Sequence, residues 1–523
     1  MKKPIFKSIL SRFRKQESKK DAAQKPGRVP YDTKTYQLNR ETCDLKSKLI
    51  YSKSGKRPKS IECRVFTPEE ILEKSRGYLN LLTGKTELTK KRKQQIIRMT
   101  LENFENFYNR GFLIYRKSVA EAADFAALEW DGQGSLMRDL LGRTFIDCLG
   151  GYGIYNMGMC HPKIIAAVEA QLKRMPLSSQ ELLDPWRGAL AELLAGLAPG
   201  NLQECFFINN GTDAVEGSLK LARLYTKKVG FISAVNGFHG KSMGSLSVMG
   251  KHVYRRPFEP LLPHVHFVPF GDTTALEQEF KKLSTVGEDI AALILEPVQG
   301  EAGAIVPPDD YLRRARELCT EHGVLLILDE VQTGFGRTGK IFACEHWNVV
   351  PDIMCLGKSI GGGVMPLSAF ISNRRIWKVM EENPFIHSST FGGNPLACAA
   401  GIAAINVMLE EKLADQAAEK GEYFMKHLHE FKDRFPDILR DVHGLGLLIG
   451  MDFATNETGY QIAAGLFRRR VLVAGTLISA RTIRIEPALN ISKHLIDEVL
   501  DRLEDCLKEV SRQYKKTGQY KST

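Results

Sequence analysis

An α/β fold is predicted for this 523-residue chain: a large domain with a mainly parallel sheet flanked by helices, followed by a smaller α+β C-terminal domain. Three features predict it. From about Phe145 to Ile371 the pattern strand, loop, helix repeats, with short strands that are apolar throughout, as strands covered on both faces must be. The intervening runs Asp213 to Tyr225 and Asp309 to Glu321 have helical periodicity. Past Pro395 a long apolar helix leads into mixed helix and strand.

The first 60 residues carry 18 Lys and Arg against 5 Asp and Glu, whereas the rest of the chain carries 55 against 56. The formal charge of +12 therefore resides in the N-terminal arm, and the body is neutral. A neutral body argues against a nucleic acid at the active site, because tracking phosphates needs basic residues on the binding face. Within the arm, Ile5, Phe6, Ile9, Leu10 and Phe13 recur at helical spacing among basic residues. That pattern suits contact with an anionic surface or a targeting segment; the plainer reading is a disordered basic tail.

Thr67-Pro-Glu-Glu70 has the capping-box pattern with Pro in the first helical position, so helix is expected from there to about Tyr108. Expected strands follow at Cys205 to Ile208, Gly230 to Ala234, His266 to Pro269, Ala291 to Leu295, Val324 to Leu328 and Ile353 to Leu356. In the C-terminal part, Leu447 to Phe453, Val471 to Val473 and Thr482 to Ile485 read as strands. A last helix capped at Ser492 carries Leu495, Ile496, Val499, Leu500, Leu503 and Leu507 on one face. The expected organisation is a basic arm over 1–60, a helical element and entry to the small domain over 61–144, a large domain over 145–395, a small α+β domain over 396–515 and a tail over 516–523.

Hydrophobic residues at 43% and charged residues at 26% are globular values and exclude a collagen-like or wholly disordered chain. No apolar run approaches the roughly 18 residues that would span a bilayer. The ten cysteines are scattered, with no C-x-x-C pair and no histidine at metal-ligand spacing, and no secretory signal is present. A reducing, cytoplasmic setting without a bound metal is expected.

Four segments carry chemistry. Asn209-Asn-Gly-Thr-Asp-Ala214 follows a strand and opens a helix, placing the N–H groups of Gly211 and Thr212 where an anion such as a phosphate binds; a simple capped turn explains it equally. Val324-Leu-Leu-Ile-Leu-Asp-Glu-Val331 is a buried strand ending in two carboxylates at a sheet edge, followed by Gln332. Gly334-Phe-Gly-Arg-Thr-Gly339 matches the dinucleotide pattern G-x-G-x-x-G, although no helix with a convincing cap follows it. Leu356-Gly-Lys-Ser-Ile-Gly-Gly-Gly363 puts Lys358 at the end of an apolar strand, where partial desolvation lowers the pKa toward a neutral, nucleophilic amine; taken alone, an ordinary surface lysine is the plainer reading. An anion-binding helix start, a strand-end Asp and a strand-end Lys together meet the needs of pyridoxal 5'-phosphate, which requires partners for its phosphate, its ring nitrogen and its aldehyde.

At these residues the chain resembles the class III, or omega, aminotransferases of the aspartate aminotransferase fold, fold type I of the pyridoxal-phosphate-dependent transferases. The resemblance runs through most of residues 111 to 500. It includes Asn210-Gly-Thr-Asp-Ala-Val-Glu216, Gly237-Phe-His-Gly240, Leu295-Glu-Pro-Val-Gln-Gly-Glu301, the run from Leu328 to Gly339, Gly357-Lys358 and Ser389-Thr-Phe-Gly-Gly-Asn-Pro395. Gly111 to Val119, Phe145 to Gly151, Ser179 to Pro185, Arg470 to Thr476 and Thr482-Ile-Arg-Ile-Glu-Pro487 are similar to the diamine-using subgroup of that class.

The resemblance implies that Lys358 is the Schiff-base lysine and Asp329 the partner of the ring nitrogen. It implies cofactor contacts from Gly211, Thr212, Phe238, His239, Val331 and Gln332, with Phe238 as the stacking ring and Gln332 near the phenolic oxygen. Thr390 would reach the phosphate of a neighbouring subunit, making a homodimer necessary for complete sites. Arg484 would clamp the carboxylate of a keto acid, and Glu301 would neutralise Arg484 when a carboxylate-free amine binds. The implied reaction moves an amino group from a diamine, putrescine or cadaverine, to 2-oxoglutarate, giving 4-aminobutanal (which closes to 1-pyrroline) and glutamate. Ornithine, acetylornithine or 4-aminobutyrate as donor, and an aminomutase, are the alternatives. Lys241 stands where ornithine-type members often carry Arg, which counts against donors with a distal carboxylate.

Overall fold

Runs bounded by Gly, Pro or Asp become the strands of the computed structural model, which describes residues 66–84, 87–109, 111 and 127–517. The basic arm, Cys43, Cys63, almost all of the Gly111 to Val119 segment and the end of the C-terminal tail lie outside the described residues. Two compact units are present, the first holding residues 66–84 and 101–109 with 111, the second holding 87–100 and 127–517.

In the first unit, helix Pro68–Thr83 begins with the expected capping box. Thr67 Oγ1 accepts from Glu70 N at 3.2 Å, and Glu70 Oε2 accepts from Thr67 N at 3.0 Å. The helical expectation up to Tyr108 resolves into this helix, helix Lys90–Asn103 and a π turn at Phe104–Tyr108.

The second unit contains three sheets. Strands β1 (Glu129–Gln133), β2 (Leu136–Asp139) and β3 (Thr144–Asp147), for which no secondary structure was expected, pair antiparallel. The alternating burial of β2 is the period-two signature of a half-covered strand.

The large sheet comprises β4 (Leu202–Ile208), β5 (Gly230–Ala234), β6 (Val265–Val268), β7 (Ile290–Leu295), β8 (Leu325–Asp329), β9 (Ile353–Leu356) and β10 (Ser368–Asn373). Its order is β4-β10-β9-β8-β7-β5-β6. The six expected strands are all present within a few residues of their predicted bounds. The seventh, β10, is not among them, and it runs antiparallel to both β4 and β9. The link from Leu356 to Ser368 holds only a short 3-10 turn, Lys358–Gly361, and a parallel return would need a crossover of a dozen or more residues, usually a helix. Every residue of β5, β7, β8, β9 and β10 is buried, each large apolar side chain contributing about 1.5–3 kcal/mol. Helix Gly211–Thr226 packs against this sheet closely enough that a Cβ at Gly217 would lie 2.2 Å from Phe370 Cε1.

The third sheet is antiparallel, with β11 (Leu439–Leu445), β12 (Leu448–Phe453), β14 (Ala474–Gly475) and β15 (Thr482–Ile485) in the order β11-β12-β15-β14. Strand β13 (Val471–Leu472) instead joins β3 in parallel, so the polypeptide on either side of the large sheet is tied together. The expected Leu447 to Phe453 strand is one arm of a hairpin whose turn is Gly446, at φ +56, where a Cβ would fall only 2.5 Å from Thr338 C. Helix Lys493–Thr517 follows Ser492, whose Oγ accepts from Leu495 N at 3.3 Å. One hydrophobic cluster runs continuously from the large sheet through the third sheet to this helix.

Gly334 to Gly339 does not open a helix. It forms a turn that leads into the 3-10 turn Ala343–Trp347, which removes the basis for a dinucleotide site. Its central residue, Arg337, is fully buried and donates to Leu447 O (2.9 Å), Pro487 O (2.7 Å) and Asn156 Oδ1 (2.6 Å). This guanidinium therefore cross-links the large sheet to the C-terminal part. Arg337→Met should lower unfolding stability by about 3–5 kcal/mol, because three buried acceptors lose their donor. Urea titration of the purified variant checks this.

Candidate active site at the strand ends

The carboxyl ends of β8 and β9 lie side by side in the parallel part of the sheet, and the residues just beyond them build the site. Successive residues of an extended chain point to opposite sides, so the two acids after β8 part company. Asp329 Oδ2 lies 2.9 Å from His239 Nδ1, and its Oδ1 accepts from Val331 N at 3.1 Å. Glu330 turns the other way and ties down the following loop, accepting from Ala343 N (3.0 Å), Cys344 N (2.8 Å) and the Thr333 hydroxyl. Burial pushes the Glu330 carboxyl upward, with these donors working against the shift.

Lys358 follows β9 and has φ +49, a left-handed conformation that a non-glycine residue adopts at a cost. The neighbouring Gly153, at φ +94, brings the Gly150–Tyr152 turn within 3.6 Å of Lys358 Cδ, measured from where a Cβ would stand. The Lys358 side chain is half-buried, and none of the described residues hydrogen-bonds its Nζ. Burial lowers its pKa below the usual lysine value, while Glu486, Glu301 and Asp329 oppose that shift and Arg484 adds to it.

Gly211 and Thr212 open helix Gly211–Thr226, with Asn210 as cap accepting from Asp213 N at 3.0 Å. Val331 links this helix start to the lysine: virtual Cβ atoms on Gly211 and Gly357 would lie 2.7 and 3.1 Å from its Cγ1. Thr212 Oγ1 meets Ser242 Oγ and Ser245 Oγ at 2.6 Å each, and Glu216 Oε1 accepts from Ser242 Oγ and Ser245 N. Phe238 is half-buried, and its N–H donates to Glu296 Oε1 at 2.8 Å. Glu296 is a buried carboxyl pushed up to about 7 by burial, with Asp329 adding to the shift and His239 and two backbone donors opposing it. His239 Nε2 is buried and has no hydrogen-bond partner among the described residues.

On the other side of Lys358, Arg484 on β15 is fully buried and donates from Nη2 to Glu301 Oε1 at 2.7 Å. Glu301 Oε2 accepts from Leu477 N at 3.0 Å. The Tyr152 ring lies 5.8 Å from the guanidinium. Glu486 Oε1 stands 3.3 Å from Arg484 Nη1 and accepts from Gln332 Nε2 at 2.7 Å. Burial works against the Arg484 charge, and Glu486 and Glu301 more than offset it, so its pKa is raised.

Ten of the eleven expected residues thus lie in one connected region: Lys358, Asp329, Gly211, Thr212, Phe238, His239, Val331, Gln332, Arg484 and Glu301. Thr390 does not join them. It sits exposed in the loop before helix Pro395–Glu410, where its carbonyl accepts from Gln180 at 2.8 Å. Sequence reasoning assigned no role to Glu296, Tyr152 or Glu486. The Glu486 signal was its spacing, two residues after Arg484 in an extended run.

This fold is that of a known class: the family model for aminotransferase class-III matches residues 120–507, and the chain belongs to that family. It is an aminotransferase of the pyridoxal-phosphate-dependent α/β type. The chain is 51% identical over 415 residues to a putrescine aminotransferase from Pectobacterium atrosepticum, covering 79% of this chain and 89% of that one. Among solved structures it is similar to an amine transaminase from an uncultivated Pseudomonas species in a pyridoxal-phosphate-bound form (32% identity, TM-score 0.70, 74% of this chain and 96% of that one). It is also similar to the ornithine aminotransferase of Toxoplasma gondii ME49 (30% identity, TM-score 0.71, 86% and 100%).

Proposed function

We propose that the chain uses pyridoxal phosphate to transfer an amino group from putrescine to 2-oxoglutarate. The residues present fit the cofactor. Lys358 Nζ has no hydrogen-bonding partner among the described residues, His239 Nε2 is buried and unpaired, and the glycine-opened start of a 16-residue helix faces the same region. Lys358 would bind the cofactor's aldehyde, Asp329 its ring nitrogen, Gly211 and Thr212 its phosphate, Gln332 its phenolic oxygen, and Phe238, His239 and Val331 its ring. When bound, the cofactor supplies an electron-poor ring that stabilises a carbanion next to nitrogen.

Everything else is the work of this chain's own groups. Asp329, fixed by His239 and the Val331 N–H, holds a proton at the ring nitrogen. Lys358 Nζ, whose pKa burial lowers, would take the proton from the substrate carbon and hand it on across the substrate nitrogen. The products are 4-aminobutanal, which cyclises to 1-pyrroline, and glutamate.

The single observation that carries the diamine reading is the buried 2.7 Å pair between Arg484 and Glu301. An arginine already neutralised suits a donor without a carboxylate. When Glu301 swings aside, the same guanidinium accepts the keto acid bidentately. Lys241 is consistent with this, its ammonium resting over the Tyr254 ring at 4.8 Å rather than in an ion pair. The exposed Thr390 loop suits a homodimer in which it completes the neighbouring site. Among the described residues no helix is long and apolar enough to cross a membrane, and the eight described cysteines are free, which supports a cytoplasmic setting.

Adding putrescine to the purified holoenzyme without a keto acid is expected to remove the visible absorbance of the bound cofactor. Adding 2-oxoglutarate should restore it with formation of glutamate. Absorbance unchanged by putrescine but bleached by ornithine or 4-aminobutyrate would overturn the donor assignment.

A further inference from the structure

Glu301 is not the sole carboxylate against Arg484. Glu486 is fully buried, directly follows β15, and is aligned with Arg484 on one side of the extended chain. Its Oε1 faces Arg484 Nη1 at 3.3 Å and holds the Gln332 amide at 2.7 Å, while its Oε2 is buried with no hydrogen-bond partner among the described residues. Two carboxylates thus serve one guanidinium. They differ in freedom: Glu301 lies in a loop of turns, whereas the Glu486 backbone is pinned by its N–H to Cys148 O at 2.8 Å and crowded by Gly150, where a Cβ would fall 2.0 Å from Glu486 O.

We propose that Glu486 is a specificity-determining residue of this site, a fixed counter-charge that offsets part of the Arg484 charge even when Glu301 swings aside and offers its free oxygen to the cationic donor. This rests on the diamine reading above and assigns that preference to a second acid. A buried carboxylate oxygen without a donor is costly, and an ammonium ion entering the site satisfies it. Conversely, a donor with a carboxylate meets an arginine whose charge is partly offset, beside a carboxylate oxygen with no donor among the described residues. Loss of Glu486 should therefore tilt the site from cations toward anions.

The experiment uses the holoenzyme and its Glu486→Gln variant, which keeps the side-chain length. Two quantities are read: the ratio of kcat/KM for putrescine to that for 4-aminobutyrate, and the Kd of glutarate, a dicarboxylate with no group to react, by calorimetry. The ratio is expected to fall at least about tenfold and glutarate to bind at least about tenfold more tightly. Equal losses with both donors and an unchanged glutarate Kd would reduce Glu486 to a packing role. Glu301→Gln supplies an independent arm should the first variant fail to fold. With Glu486 still standing against Arg484, it should keep putrescine preferred over 4-aminobutyrate, and a reversed preference would give the whole effect to Glu301 and overturn the proposal. If wild-type enzyme ignores putrescine, the donor reading fails, while the glutarate comparison still decides the role of Glu486.

Discussion

Lys358→Ala is expected to abolish turnover, with kcat reduced by at least about four orders of magnitude, because in the proposed mechanism one residue supplies both the covalent attachment and the proton transfer. Three features single out this amine: it ends a wholly buried strand, its backbone is held at φ +49, and no described side chain occupies its Nζ. Burial lowers its pKa below the usual lysine value, which moves it toward the neutral, nucleophilic form. Rapid mixing of the variant with substrate checks the loss. A small primary amine in the buffer should restore part of the rate by taking the proton in place of Nζ. Near-normal activity in the variant would rule out the proposed mechanism.

For Asp329→Asn the expected loss is about 10²- to 10³-fold in kcat, the scale found when one oriented electrostatic group is removed from a site. The amide is nearly isosteric and can still accept from the Val331 N–H at the Oδ1 position. Its other terminus, however, would present an N–H₂ toward His239 Nδ1, which lies 2.9 Å from Oδ2 in the native site. The negative charge that keeps a proton on the ring nitrogen disappears, so the ring becomes a poorer electron acceptor while Lys358 remains in place. Steady-state kinetics, with cofactor content measured by absorbance, separates lost chemistry from lost binding. A variant that holds its cofactor and turns over at the native rate would remove Asp329 from the reaction.

Much of the large sheet could be read from local pattern. Strands such as Gly230–Ala234 and Ile353–Leu356 fall where continuous apolar runs end at Gly, Pro or Asp, since a strand buried on both faces leaves no polar position inside it. Strand β10 escaped because Ser368, Ser372 and Asn373 dilute its apolar run, although all three are buried. The β1–β3 strands escaped because five or fewer residues of half-exposed strand carry little periodicity. The expected chemistry at Asp329, Lys358 and Gly211 was legible for a related reason: each is positioned by its own strand or helix end.

The sequence by itself determined where the strands end and which residue types stand there, because burial and turn chemistry act on neighbours along the chain. Tertiary structure decided the rest. Arg484 meets Glu301 across 183 residues, Gln332 meets Glu486 across 154, and Arg337 meets Pro487 across 150, contacts that no local period encodes. It also decided that Asp329 faces the site while Glu330 braces the loop behind it, a division of two adjacent acids that depends on which side of β8 the core lies. Charge cancellation around Arg484 belongs to this second kind of information. It arises only when segments distant in sequence bring two carboxylates and one guanidinium together in the buried interior, where the charges offset one another.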